Sequence, residues 1–187
     1  VSEAITILAA PTSARTRDVA RLLRTLVESA DGARRVSRGA PPGVQPDRAD
    51  AERTWAILGE LRTDEADGPV RSANEHVVEH DLLGRLAVRL AVDKVLCVGA
   101  SSRAVRGMHQ GAVMEGSWGD EARLAEDVED ALDLVVAEQA WTPHAGDTVL
   151  LAVPELSPET VAQRWRDLGH EVTILAAQDD SDESDER

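Results

Sequence analysis

Trp55-Ala-Ile-Leu-Gly-Glu-Leu61, His80-Asp-Leu-Leu-Gly-Arg-Leu-Ala87 and Asp93-Lys-Val-Leu-Cys-Val-Gly99 follow one another along the chain, and their reading decides the fold. The first and third are short apolar runs that meet a glycine, as buried strands of a parallel sheet do. Between them, a helix predicted over about residues 72–91 places Leu82, Leu83, Leu86 and Leu90 on one side. Strand, helix and strand in that order make a βαβ unit.

The rest of the chain extends the same alternation. Ala4-Ile-Thr-Ile-Leu-Ala9 reads as a strand, Pro11-Thr-Ser-Ala14 as a turn, and Val19, Leu22, Leu23 and Leu26 as one face of a helix. Residues 31–50 are rich in Gly, Pro, Arg and Asp and predict a long exposed loop, with a second polar loop over 62–69. After Gly99, Ser101 or Ser102 caps a helix predicted to run to about Gly111. A short strand at 122–125 follows, then a helix carrying Val128, Ala131, Leu132 and Val135, and a strand at 148–153. Pro158 opens the helix of Val161 and Trp165, and residues 171–176 form a last strand. The expected fold is α/β and Rossmann-like, a mostly parallel sheet with helices on both faces, in one domain over 1–177. Residues 178–187 (QDDSDESDER) hold six carboxylates and no apolar side chain, and predict a disordered acidic tail.

Composition narrows the function classes. The formal charge of -15 over 187 residues leaves little basic surface to neutralise phosphates, which argues against nucleic acid and anionic membranes as partners. Lys94 is the only lysine, and Phe and Tyr are absent, so platforms for stacked bases would rest on four tryptophans. The single cysteine, Cys97, lies in an apolar strand pattern, which excludes an intrachain disulfide and fits a reducing cytoplasm. No apolar run approaches membrane-spanning length, and the opening Val1-Ser-Glu-Ala4 leads into a strand rather than a signal peptide. A first residue of Val fits either a GTG start or a chain cut from something longer.

Three segments bear on chemistry. His76-Val-Val-Glu-His80 has the H-x-x-E-H spacing that places two imidazoles one helical turn apart with a carboxylate between them. A zinc site on His76, Glu79 and His80 needs a further ligand, for which only generic acids such as Glu126, Glu129 or Glu155 are on offer. Two histidines on an exposed helix face are more often solvated surface residues. Gly99-Ala-Ser-Ser-Arg103 joins a strand to a helix and could receive an anion, with Arg103 and Arg106 as charge partners, or serve as an ordinary serine cap. No phosphate loop of the G-x-x-x-x-G-K-[ST] type and no G-x-S-x-G elbow occurs, so no catalytic residue is assigned.

Taken in order, these elements resemble the C-terminal domain of the Mur ligase family, most closely its D-alanyl-D-alanine-adding branch, from about Glu3 to Trp165. Ile57-Leu-Gly-Glu-Leu61 is similar to the family's L-G-D-M, His80-Asp-Leu-Leu-Gly84 to its H-x-x-x-G, and Val95-Leu-Cys-Val-Gly99 to its V-G strand end. Gly146-Asp-Thr-Val-Leu-Leu151 resembles the last strand, before the family's K-G-S-R loop. Two loops depart from the pattern: Ala10-Pro-Thr-Ser-Ala-Arg15 stands where the family has D-x-Y-N-A-N, and Leu151-Ala-Val-Pro-Glu155 where it has K-G-S-R. The strand at 171–176 and the acidic tail run past the family's usual end.

The resemblance implies a stand-alone, degenerate domain of peptidoglycan precursor synthesis, a binding or partner module that is not a catalyst alone. It also implies a small peptide or nucleotide ligand, or a protein partner in the cell-wall pathway, and no cofactor of its own. The alternatives are a ligase component acting in trans, with ATP and magnesium supplied through a separate ATP-binding partner, and a zinc hydrolase. Candidate ligand contacts at the strand ends are Ser13, Glu60, His80, Gly99, Ser101 and Arg103.

Overall fold

The computed structural model describes residues 4–37, 52–63, 72–116 and 121–177, without side chains for 31–37. The expectations for residues 38–50, for most of the 62–69 loop and for the acidic tail lie outside the described residues. In chain order the elements are β1 (Ile5–Ala9), α1 (Thr16–Ser37), β2 (Thr54–Leu58), α2 (Ala73–Arg89), β3 (Lys94–Val98) and α3 (Arg103–Glu115). Then come β4 (Ala122–Ala125), α4 (Val128–Ala137), a single 3₁₀ turn at Gln139–Trp141, β5 (Thr148–Ala152), α5 (Pro158–Asp167) and β6 (Val172–Ala176).

All six strands join one parallel sheet in the order β4-β3-β2-β5-β1-β6. The chain moves from β1 through β2 and β3 to β4 in one direction, then reverses to β5 and β6. Right-handed crossovers therefore put α1, α2 and α3 on one face and α4 and α5 on the other. The alternation of strand side chains records this. Ile7, Trp55, Ile57, Leu96 and Leu151 pack with Val135, Trp141, Val161 and Trp165, while Ala56, Leu58, Val95, Cys97 and Leu150 pack with Leu23, Leu83, Val105 and Met108. Cys97 is fully buried in this second layer, and burial pushes its thiol up to about 12, so it is a core residue rather than a nucleophile.

Two expectations change here. Helix α1 runs on to Ser37, through Asp31-Gly-Ala-Arg-Arg, which composition had assigned to a loop. Its Ala and Arg residues favour helix by enough to carry one glycine. Helix α3 likewise runs past Gly111 to Glu115, and Gly116 stops it at φ 129°.

A buried Asp147 ties the amino-terminal ends of the strands together. It accepts hydrogen bonds from the Arg53 amide, the Trp55 indole and the His144 amide at 2.8–2.9 Å. Three donors on one carboxylate compensate its desolvation.

The α2–α3 contact is the tightest helix pairing, because glycine removes the side chains that would hold the backbones apart. A Cβ on Gly84 would lie 1.9 Å from the Met108 carbonyl oxygen, and one on Gly111 would lie 2.3 Å from the Asp81 carbonyl oxygen. Arg85 and Arg89 then reach across to Glu115 and flank the contact with ion pairs. Gly84→Ala should force the helices apart and cost about 3 kcal/mol or more in urea unfolding. The control is Gly169→Ala, where φ is +90° but nothing lies within 4 Å, so it should cost only about 1 kcal/mol.

Candidate functional site

Open parallel sheets bind ligands at the carboxyl ends of neighbouring strands whose helices leave to opposite faces. Here two clefts lie at strand carboxyl ends. The smaller, about 210 Å³, sits between β1 and β5 and is lined by Ala10, Thr12, Val153, Pro154, Glu155 and Ser157 among others. It brings together the two loops that depart from the family pattern. None of its lining residues is a cation, so no side-chain charge there can meet a phosphate or a developing negative charge.

The larger cleft, about 460 Å³, opens where β2 ends, between the amino-terminal ends of α2 and α3. Glu60, Thr63, Ser72, His76, Ser102 and Arg103 line it. Each helix begins on a serine cap for a local reason. Ser72 accepts from the Glu75 amide while the Glu75 carboxylate accepts from the Ser72 amide, a reciprocal capping box. Ser102, rather than Ser101, caps α3 by accepting from the amides of Ala104 and Val105.

Glu60 is the centre of charge in this cleft. His76 Nε2 lies 2.9 Å from its Oε1, and Ser102 also hydrogen-bonds to the carboxylate. Partial burial works to raise the Glu60 pKa, but the hydrogen bonds from Ser102 and His76 and the field of His76 outweigh it and hold the group below the usual carboxylate range. The site therefore offers a fixed carboxylate beside an imidazole, with the exposed Arg103 on the same rim.

The remaining candidates have other uses. Gly99 takes φ +110° at the end of β3. Its amide and that of Ala100 donate to the Ala125 carbonyl, so these two amides hold β4 rather than point at an anion. Arg106 folds back onto the Ala100 and Ser101 carbonyls. Ser13 is exposed in the turn after β1, and neither Ser13, Gly99 nor Ser101 lines either cleft.

The three polar residues of His76-Val-Val-Glu-His80 face three different partners. His76 meets Glu60, Glu79 accepts from the Thr16 hydroxyl at 3.0 Å, and His80 turns into the core with 0% exposure. His80 Nε2 accepts from the Leu61 amide at 3.0 Å, and Nδ1 lies 2.9 Å from the His76 carbonyl oxygen. That pair of contacts requires the neutral tautomer with the proton on Nδ1. With both nitrogens engaged, His80 has no lone pair left for a metal. Among the described residues no group of three His, Cys, Asp or Glu could hold one. The reading of His80 as a surface or ligand-contact residue is thus corrected: it is a clamp inside the fold.

The signal for this was in the sequence. His80, Leu83, Gly84 and Ala87, the buried residues of α2, stand at i, i+3, i+4 and i+7. Leu82, expected on the buried side, is 55% exposed because it lies off that stripe.

Comparison with known proteins bears on this geometry. No family model matches, and no solved structure matches. The chain is 43% identical over 101 residues to a UDP-N-acetylmuramoyl-tripeptide--D-alanyl-D-alanine ligase of Mycobacterium leprae, covering 54% of this chain and 17% of that protein. It is 36% identical over 132 residues to the ligases of the same name from Mycobacterium bovis and Mycobacterium tuberculosis, covering 68% of this chain and 23% of theirs. The chain is related to the Mur ligases. It spans about a fifth of the length of these curated relatives. The α/β Rossmann-like sheet agrees with a Mur ligase C-terminal-like domain, and His80 and Gly84, the residues of its H-x-x-x-G segment, prove to serve the fold. Among the described residues no helix is long and apolar enough to cross a membrane.

Burial lowers the His80 pKa from 6.5, against a smaller upward push from its bond to the His76 carbonyl. An unfolded chain takes up this proton near pH 6.5 and the native state only below that, so His80 contributes stability above pH 6.5 that is lost as pH falls through its folded value. Half-buried His109, also lowered chiefly by burial, adds to the same slope. His80→Ala leaves the Leu61 amide buried beside a void and should cost about 3 kcal/mol at pH 7.5. In urea titrations from pH 7.5 to 5 the variant should also lose stability less steeply than the parent.

Proposed function

We propose that this chain is a Mur ligase C-terminal-like domain, altered at its ligand loops, that serves peptidoglycan precursor synthesis as a binding or partner module rather than as a catalyst alone. The observation that carries this reading is the contrast between its two clefts. The cleft where the family's nucleotide and K-G-S-R loops would meet has no cation, whereas the cleft above β2 holds the Glu60 carboxylate beside His76 with Arg103 on its rim. A carboxylate and a guanidinium on one cleft suit a small zwitterion, whose ammonium group would meet Glu60 and whose carboxylate would meet Arg103. The relatives' name points to D-alanyl-D-alanine as the first such ligand to try.

A chain of this kind would leave the ATP chemistry to other protein, because its sequence holds no G-x-x-x-x-G-K-[ST] loop to cradle the phosphates from which an acyl phosphate is formed. Completion of a separately encoded ATP-binding partner in trans is the same reading carried one step further.

The test is a thermal-shift series on the purified chain with D-alanyl-D-alanine, ATP with magnesium, and a UDP-muramoyl peptide. The dipeptide at about 100 times its Kd should stabilise the fold by about 2.7 kcal/mol. Glu60→Gln and Arg103→Ala should each abolish that shift while leaving the unliganded melting temperature within a degree or two. Amide-bond formation by the chain alone with ATP would overturn the reading.

A further inference from the structure

Among the described residues, strand β6 forms one edge of the sheet, paired on one side only, with β1. The two strands are near copies. Ile5-Thr-Ile-Leu-Ala-Ala10 lies beside Val172-Thr-Ile-Leu-Ala-Ala177, in register, Thr6 on Thr173, Ile7 on Ile174 and Leu8 on Leu175. The fold thus shows that this sequence accepts a near-copy of itself as a parallel neighbour.

Among the described residues, the outer side of β6 has no proline, no inward charge and no bulge to block a further strand. Thr173, Leu175 and Ala176 are exposed, Leu175 by 50%, and helix α1 lies over β5 and β2 rather than over them. The Glu171 carbonyl accepts from Ile5, and the Ala177 amide donates to Ala9. By the alternation of a parallel ladder, residues 171, 173, 175 and 177 therefore spend their backbone groups on β1, and Val172, Ile174 and Ala176 point theirs outward. Among the described residues, Arg166 reaches this edge, where its Nη2 donates to the Val172 carbonyl at 3.1 Å.

We propose that β6 is a self-association edge, at which a second copy of this chain adds its own β6 antiparallel. A two-fold axis normal to the sheet and passing beside Ile174 pairs Ile174 with its symmetry mate and Val172 with Ala176. Those are the residues whose amides and carbonyls face outward, so each pairing exchanges two hydrogen bonds. Thr173 then faces Leu175 on the α1 side, and the sheet continues across both copies. Parallel addition of β6 to β6 cannot be symmetric, because both strands would present the same residues outward and would have to slip by one. The short strand and small contact area make the dimer weak, with a Kd on the order of 100 µM. At a formal charge of -15 the copies repel, so association strengthens with salt.

Sedimentation of the full chain from about 10 µM to about 500 µM, in low salt and in about 0.5 M salt, tests this. The expected result is a monomer–dimer equilibrium that shifts to dimer with salt. Ala176→Pro deletes one outward amide per copy without touching the β1 ladder, so it should weaken the dimer at least about tenfold at unchanged melting temperature. Arg166→Ala frees the Val172 carbonyl and should strengthen it. A chain that stays monomeric at the highest concentration in high salt, or a dimer indifferent to both substitutions, would overturn the proposal.

Discussion

A buried neutral histidine accepting one backbone amide holds the business end of this domain together. The Leu61 amide leaves β2 just where the sheet ends, inside protein, and no strand or helix neighbour takes its hydrogen; His80 Nε2 does. An orphaned amide at that depth would cost as much as the bond itself and more. The same helix face sends Glu79 to Thr16 at the start of α1 and His76 to Glu60, so within five positions two residues hold the loop after β2 and a third holds the start of α1. Gly84, one turn further along α2, lets α3 approach closely enough for Ser102 to reach Glu60. The geometry of the larger cleft is a consequence of these contacts.

This arrangement explains why the chain keeps some features of a Mur-type third domain and lacks others. The L-G-E-L, H-x-x-x-G and V-G segments turn out to place residues that pack, clamp or turn: Gly84 against Met108, His80 under Leu61, Gly99 toward β4. In this chain these residues serve the fold. The loops after β1 and β5 each send side chains such as Ala14, Val153 and Leu156 into the core, yet at their polar positions the residues of the family pattern are replaced. Fold and site are separable here, and of the two clefts among the described residues the one above β2 brings charges of both signs together.

Much of the fold was legible in the sequence because parallel strands buried on both faces read as apolar runs, and Trp55-Ala-Ile-Leu58 and Val95-Leu-Cys-Val98 could be little else. Helix ends were legible where serine caps stood before the apolar pattern. What escaped was decided by tertiary packing. A glycine at position 32 looked like a loop marker, yet its helix-forming neighbours carry α1 past it. Four leucines looked like the buried side of α2, yet the neighbouring helix selects a stripe of one histidine, one leucine, one glycine and one alanine. Hydrophobicity alone cannot find such a stripe, because close helix approach rewards small residues and a paired polar atom as much as apolar bulk. The partners of His76, Glu79 and His80 were likewise hidden, since they come from loops distant in sequence.

The most direct test of the clamp is nitrogen NMR of His80 in the folded chain, read together with hydrogen exchange at the Leu61 amide. A neutral ring protonated on Nδ1 that takes up its second proton only below pH 6.5, with the Leu61 amide exchanging only on global unfolding, is the expected result. A His80 that titrates near 6.5 like a free imidazole, or a Leu61 amide that exchanges as fast as an open loop, would contradict it.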